Sequence, residues 1–297
     1  MFDLRYHVAS LAAVFLALII GILVGVAITR GGFVSKAERK VLNDQIAELR
    51  GERDAAKERA NELEQDQQAR VEYVNDTYPS LVANRLDGMR IAFVSVGRID
   101  QTAYANVREA LRDAGAPALV RVRAIKVPVD DAALDGALDG RPALAKYEGT
   151  DQLPALGRAL GEELVRGGRT PLWDALASQL VEERSGDGRQ PADAVIVTRS
   201  VKPQQGATAQ FLDGLYSGIA GAGAPAVGTE VSAARPSAIP AFSRRSLSTV
   251  DSVNKPFGKL ALVLLLAGAD AGHYGVRKSA SDGVLPPVAS APAAAGG

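Results

Sequence analysis

An uncharged, apolar run near the N-terminus is the clearest pattern of hydrophobic and polar positions in the chain. From Val8 to Thr29 the sequence reads VASLAAVFLALIIGILVGVAIT, with Ser10 and Thr29 as its polar side chains. As a helix this run would be roughly 33 Å long at about 1.5 Å per residue, which matches a hydrocarbon core of about 30 Å. We predict a retained transmembrane helix over 8–29, preceded by an N-terminal stub over 1–7.

Two other interpretations of this run stay open. A cleaved signal peptide has a shorter apolar region of about 7–15 residues before a small-residue exit, which Gly25-Val26-Ala27 matches only loosely. A buried core helix of this length normally carries a polar stripe. Gly21 and Gly25 form a G-x-x-x-G pair, so they are candidates for a close helix–helix contact. The flanking charges leave the orientation open, because long domains translocate largely regardless of charge.

A charged, helix-forming segment follows the apolar run, from Ser35 to about Val74. It carries a weak heptad seam formed by Leu42, Ile46, Leu49, Ala56 and Leu63. The seam predicts a parallel coiled coil of two or three chains over 35–74, with a single solvated helix as the alternative. Gly51 interrupts the pattern at a cost of about 1 kcal/mol relative to alanine. Tyr78-Pro79-Ser80 is expected to end the helix, because the residue before proline avoids the α region.

Beyond residue 89, short apolar runs alternate with helical spacing. A strand at 90–96, a helix at 100–114 and a strand at 118–122 predict a βαβ unit with parallel strands. Further strands are predicted at 193–198, 224–228 and 247–250, further helices at 153–166, 172–183 and 208–222, and a loop at 128–150. The run 259–267 favours a helix over a strand.

This pattern predicts an α/β fold. We expect a doubly wound, Rossmann-like or flavodoxin-like sheet of four to five strands over 89–278. The composition of residues 279–297 is typical of a disordered tail.

Composition narrows the chemistry. The 297 residues include 34 basic and 34 acidic side chains, so the net charge is zero and nothing points to nucleic acid. The absence of cysteine excludes disulfides, cysteine–zinc sites and a cysteine nucleophile. With two Met and two His, one chain builds no soft-metal cage. The acidic group Asp130, Asp131, Asp135 and Asp139 either gathers around a hard cation or forms a solvated loop. We expect no resident cofactor or metal.

The carboxyl ends of the predicted strands are the place where an α/β sheet binds ligands. The candidates there are Gly97, Arg98, Asp100, Arg199, Asp251, Asn254, His273 and Tyr274. His273 and Tyr274 lie in a Gly-His-Tyr-Gly sequence just after the last helical run. We interpret His273 as a loop residue that packs beside Tyr274, with a ligand role as the alternative. The sequence has no phosphate-binding glycine loop and no nucleophile elbow, so we predict that the chain is not an enzyme.

Three segments carry a resemblance to a known family. The N-terminal FDLRYHVASLAAVFLALIIGILVG resembles the start of the actinobacterial MctB family of copper-transport proteins. The segment STVDSV at 248–253 and GHYG at 272–275 are also similar to that family. The resemblance implies a cytoplasmic N-terminus, an extracytoplasmic C-terminal domain and a role in copper efflux or homeostasis through a channel-like activity. Copper enters only as the transported ion, and the resemblance assigns no ligand residues.

The functional prediction is therefore a single-pass protein of the cell membrane or envelope. We expect homo-oligomers through the span and the coiled coil, since an uncharged helix lines no pore alone. The alternative is a non-catalytic envelope scaffold that presents the α/β module on its stalk to an envelope protein partner. A small-ligand enzyme that uses the strand-end crevice is the third hypothesis.

Overall fold

The computed structural model describes residues 4–30, 36–186 and 188–288 of the chain. The chain divides into two compact units, Met1–Arg70 and Val71–Gly297. The first unit contains α1 (Leu4–Arg30) and most of α2 (Lys36–Val82). Among the described residues, one helix is long and apolar enough to cross a membrane: the stretch His7–Ala27 of α1 has a mean hydropathy of 2.8 and none of it is buried. The predicted span 8–29 lies within α1. The predicted N-terminal stub (1–7) extends into residues 1–3, and the predicted coiled-coil stalk (35–74) begins at residue 35. Residues 1–3 and 35 lie outside the described residues.

Helix α2 runs through the position where the sequence predicts its end. The prediction that Tyr78-Pro79-Ser80 stops the helix is wrong, because α2 continues to Val82. Proline removes one backbone donor, which would have bonded the carbonyl of Asn75. Asn75 is exposed, so water can satisfy that carbonyl. Beyond the proline, Val82 is fully buried in the second unit's core, and this packing outweighs the local penalty.

The second unit is built on a sheet of seven strands among the described residues. The strands are β1 (Ile91–Val96), β2 (Arg121–Ile125), β3 (Val181–Ser185), β4 (Ala194–Arg199), β5 (Ala226–Thr229), β6 (Ser248–Val250) and β7 (His273–Tyr274). Their order is β3-β2-β1-β4-β5-β6-β7. Every pair is parallel except β2 with β3. The mixed α/β class is confirmed, with more strands than the four to five predicted.

Helices cover two separate clusters of buried side chains. The covering helices are α3 (Gln101–Asp113), α4 (Asp131–Leu138), α5 (Leu153–Arg166), α6 (Pro171–Leu180), α7 (Gly206–Gly221), α8 (Ile239–Ser243) and α9 (Pro256–Leu266). Alternate residues of β1 enter different clusters: Val94 and Val96 pack with α4 to α8, whereas Ile91 and Phe93 pack with α3 and α9. Because successive strand side chains point to opposite faces, the two clusters lie on opposite faces of the sheet.

Helices α5 and α7 pack at unusually short range because both present glycines. A Cβ atom on Gly218 would lie 2.1 Å from the carbonyl oxygen of Arg158, and one on Gly157 would lie 2.1 Å from that of Phe211. Each helix therefore carries a G-x-x-x-G pair, Gly157 with Gly161 and Gly214 with Gly218. The glycines therefore allow the backbones of the two helices to touch.

Three predicted segments are corrected by the structure. The second strand is Arg121–Ile125 instead of residues 118–122, and it continues through Arg123, which is buried despite its charge. Arg121 donates to the carbonyl oxygens of Leu164, Gly188 and Gln190. The predicted loop 128–150 contains α4, and the end of the predicted helix 172–183 is the antiparallel strand β3. The apolar run 259–267 is helical, as predicted.

The predicted tail begins in an ordered contact. In residues 279–288, Asp282 accepts a hydrogen bond from the backbone N–H of His273, 2.7 Å away, and Gly283 accepts one from Gly275 at 3.0 Å. These contacts hold the segment against β7. Residues 289–297 of the predicted tail lie outside the described residues.

Candidate ligand crevice at the carboxyl ends of the strands

The carboxyl ends of β1, β4 and β5 surround a cavity of about 350 Å³. The chain leaves β1 toward β2 on one side, and β4 and β5 lie on the other. A sheet that changes direction in this way opens a crevice between the diverging connections. The cavity is lined by residues 198–202 after β4, by 229–231 and 233–236 after β5, and by Asp100 and Ala103 at the start of α3.

The turn after β1 is fixed by the turn after β4. Gly97 has a φ of +83°, and a Cβ atom there would lie 2.5 Å from Cγ1 of Val201. Ser200 Oγ donates to the carbonyl oxygen of Arg98 over 2.6 Å. The Arg98 side chain extends toward the β3 side, where its Nε lies 3.8 Å from Oε1 of Glu182. Gly97 and Arg98 thus shape the turn, and neither of them lines the cavity.

Asp100 and Arg199 are the predicted candidates that do line the cavity. Asp100 caps α3, since its Oδ1 accepts from the N–H of Ala103 at 2.8 Å. Arg199 Nη2 donates to the carbonyl oxygen of Ser237 at 2.8 Å. Burial lowers the pKa of the Arg199 guanidinium, an effect that nearby Tyr216 and Glu230 oppose. Both side chains are thereby held by the protein itself.

Glu230 is the central group that sequence reasoning missed. It is 4% exposed, directly after β5, and forms an ion pair with Arg277. Its carboxylate also accepts from Ser237 Oγ at 2.8 Å and from the N–H of Ala238 at 2.6 Å. Arg277 in turn donates to the carbonyl oxygens of Ser232 and Ala234. The pair therefore ties the loop after β5 to the segment after β7.

Asp251 and Asn254 hold the loops that carry the Glu230–Arg277 pair, and neither of them lines the cavity. Asp251 is 1% exposed, and its carboxylate accepts from the N–H groups of Val276 (3.1 Å) and Arg277 (2.8 Å). Asn254 Oδ1 accepts from the N–H of Ser232 at 2.7 Å. Because an aspartate oxygen occupies the space where a Cβ of Gly275 would lie, 2.1 Å away, only glycine fits at 275. Both side chains hold loops in place.

The Gly-His-Tyr-Gly segment is a sheet edge, which corrects the prediction of a loop. His273 and Tyr274 form β7, parallel to β6. Nδ1 of His273 lies 3.0 Å from Oγ1 of Thr249, and Tyr274 is 5% exposed in the core. The two residues therefore close the sheet, at a distance from the cavity lining.

The cavity's chemistry favours a small polar or anionic ligand over a cation. Three basic side chains, Arg199, Lys202 and Arg235, line it together with Asp100 and Glu230. Both carboxylates already accept hydrogen bonds from the protein. Within the ranges that the structure describes, no group of three or more His, Cys, Asp or Glu could hold a metal ion.

The acidic group near residue 130 serves local structure. Asp130 caps α4 by accepting from the N–H of Ala133 at 3.0 Å. Asp131 accepts from Thr150 Oγ1 at 2.8 Å, and Asp135 accepts from the N–H of Gly149 at 2.8 Å. The interpretation as a loop is corrected, because Asp131 and Asp135 lie in α4 and Asp130 caps it. Each of the three carboxylates has its own partner within the fold.

The fold and the crevice define a mixed α/β domain in a chain that also carries an exposed apolar helix. The family described as copper transport outer membrane protein, MctB, matches residues 1–285. The chain belongs to this family, and the resemblance inferred from its N-terminal block is confirmed. A search of curated proteins finds no match.

Proposed function

We propose that this chain is a single-pass envelope protein whose α/β domain lies outside the cytoplasm and serves copper efflux. The observation that carries the proposal is the exposed apolar stretch His7–Ala27 in a member of a copper-transport family. Water would surround this stretch only at a large free-energy cost, so a bilayer is its natural environment.

A pair of reporter fusions tests the orientation. Alkaline phosphatase and green fluorescent protein are each fused after residue 288, beyond the contacts that hold β7. We expect phosphatase activity without fluorescence, because the phosphatase folds only outside the cytoplasm. The same fusions on a chain lacking residues 1–30 are the control and should reverse the result. Fluorescence from the full-length fusion would contradict the orientation.

Copper is the transported ion in this proposal. The side chains that could serve as copper ligands limit how it could cross the membrane. Copper(I) prefers sulfur and copper(II) prefers imidazole. Met89 is half-buried against the core, and Nδ1 of His273 is engaged with Thr249. The span carries no charged side chain between Val8 and Thr29. A path for copper therefore requires several chains assembled side by side, or a partner.

Copper tolerance in a deletion strain tests this role. We expect the deletion to lower copper tolerance and the full-length gene to restore it. Calorimetric titration of the full-length protein in detergent with copper(I) and copper(II) then separates transport from storage: weak binding together with restored tolerance supports a moving cargo. Unchanged tolerance in the deletion strain would overturn the copper role.

A non-catalytic scaffold is the second candidate. It is favoured by the crevice, where Asp100 caps a helix and Glu230 is paired with Arg277, so neither carboxylate is free for acid–base work. The domain would then present a surface to an envelope protein partner. Crosslinking in intact cells followed by mass spectrometry should recover that partner, and failure to recover one would weigh against the scaffold.

The strand order also supports a finer fold proposal. Apart from the antiparallel β3, the order β3-β2-β1-β4-β5-β6 is that of a doubly wound, Rossmann-like sheet. The two helix-covered clusters on opposite faces support the same wrapping. An experimental structure in which α3 and α5 lay on one face would contradict it.

A further inference from the structure

The part of α2 that lies in the first unit exposes an apolar seam to solvent. Leu42, Ile46, Leu49 and Leu63 are 55%, 38%, 63% and 69% exposed. In heptad notation Ile46 occupies an a position, and the three leucines occupy d positions. A helix with such a seam is stabilised when another helix covers it.

We propose that α2 pairs with α2 of a second copy as a two-stranded, parallel, in-register coiled coil. The parallel direction rests on the proposed anchoring, because chains inserted the same way enter the stalk in the same direction. The register rests on charges that flank the seam, and the number of strands rests on long polar side chains within it. Both features are independent of the anchor.

The charges beside the seam match when the two copies are in register. In a parallel coil each g residue faces the e residue five positions later on the other chain. Glu52 then faces Lys57 of the second copy, and Arg59 faces Glu64 of the second copy. By two-fold symmetry each of these attractive contacts occurs on both sides of the coil.

A slip of one heptad turns these attractions into repulsions. Glu52 would then face Glu64, Arg59 would face Lys57, and Asp66 would face Glu64. The slipped pairing would gain one attractive contact, between Glu52 and Arg50. The e and g charges therefore select the in-register pairing against its nearest competitor.

Long polar side chains in the seam favour two strands over three. Arg53 and Gln67 occupy a positions. Arg53 is already turned outward, with its side chain 72% exposed and its Nη2 2.6 Å from Oδ1 of Asp54. A two-stranded seam is flanked by water on both sides, so such a side chain can leave it, whereas a trimer would enclose it.

Cysteine crosslinking tests the seam in the full-length protein, because the natural chain has no cysteine. Ala56→Cys lies at d and Ala60→Cys at a, while Ala55→Cys is a matched control at the outward c position. In oxidised membranes we expect disulfide-linked dimers for the first two variants and at least about tenfold less for the third. Equal crosslinking of all three would mean random collision and would overturn the proposal.

Charge reversal then tests the register and the strand number. Glu52→Lys should weaken association in detergent by about tenfold, and adding Lys57→Glu should restore it. Glu58→Lys at the outward f position is the control and should change nothing. A trimer mass by native mass spectrometry, or no rescue by the double variant, would overturn the two-stranded register. Copper tolerance is measured separately in the deletion strain, so unchanged tolerance there together with intact crosslinking would overturn the proposed function alone.

Discussion

The two units of the chain use the same apolar residue types in opposite ways. In the first unit Phe15 and Leu49 are 59% and 63% exposed, and every large apolar side chain described there is exposed. In the second unit Phe211 and Leu156 are fully buried. The second unit therefore owes its stability to its own packing, whereas packing within the described part of the first unit leaves its apolar side chains uncovered. Changes in one unit should leave the other's stability intact, which the following experiments test.

The largest effect is expected from Glu230→Ala in the second unit. The substitution leaves Arg277, whose side chain is 18% exposed, without its carboxylate, and it also removes the acceptor of Ser237 and Ala238. Breaking a buried pair in this way costs about 4 kcal/mol. Chemical unfolding of the full-length protein measures the change, and Ser237→Ala should cost only about 1 kcal/mol. A loss no greater than that of Ser237→Ala would show that the ion pair is not what holds the crevice loops.

Gly218→Ala should produce the next largest loss. Its Cβ would lie 2.1 Å from a backbone oxygen of α5, so the two helices must move apart, at a cost of about 3 kcal/mol. Gly221→Ala is the matched control on the same helix, where nothing lies within 4 Å of the new atom. We expect the control to be neutral or slightly stabilising in the same unfolding assay. Equal melting temperatures for the two variants would refute the close approach.

Gly51→Ala should act on the first unit alone. Gly51 is exposed within α2 and nothing lies within 4 Å of an added Cβ, so alanine should stabilise the helix by about 1 kcal/mol. Circular dichroism should show a stalk that retains its helix to higher temperature. The unfolding midpoint of the α/β unit should not move, and a shift there would break the contrast between the two units.

Much of the fold follows from local pattern. The run that begins at Val8 is long, and the strand DAVIVT at 193–198 is strongly apolar. These properties leave few alternatives to a long apolar helix and a buried strand. The pattern fails where tertiary contacts override it. The charge of Arg123, which is buried, hides the continuation of β2 to Ile125, and the burial of Val82 favours the continuation of α2 past its proline. Strand β3 was missed because its residues after Val181 are exposed at a sheet edge and, apart from Ser185, charged.

The crevice was only partly predictable. The carboxyl-end rule identified Asp100 and Arg199, which do line the cavity. It missed Glu230 because no candidate was chosen after the predicted strand 224–228, which corresponds to β5 (Ala226–Thr229). Arg277 carried no local signal, since its partner is 47 residues away in the chain. Long-range pairs of this kind depend on topology, which local pattern does not encode.

The smallest effect is expected from Asp193→Asn, where the residues immediately before β1 and β4 are joined. Asp193 accepts from the Arg90 side chain at 2.6 Å and 3.0 Å and from its backbone N–H at 2.8 Å. The hydrogen bonds from the Arg90 side chain hold the pKa of Asp193 below its usual range. A lowered pKa stabilises the fold above the unfolded pKa of about 3.9, and this contribution is lost as the pH falls through the folded value.

The variant should therefore unfold more easily than the natural chain at pH 7, and the gap should close as the pH falls below about 4. The effect is small because both side chains are 35% exposed and water screens the pair. Unfolding midpoints at a series of pH values measure it. Asp66→Asn is the control in the first unit, where the carboxylate is 71% exposed and 3.8 Å from Arg70. It should leave the midpoint of the α/β unit unchanged at every pH, and a pH-independent gap for Asp193→Asn would exclude the ion pair as its cause.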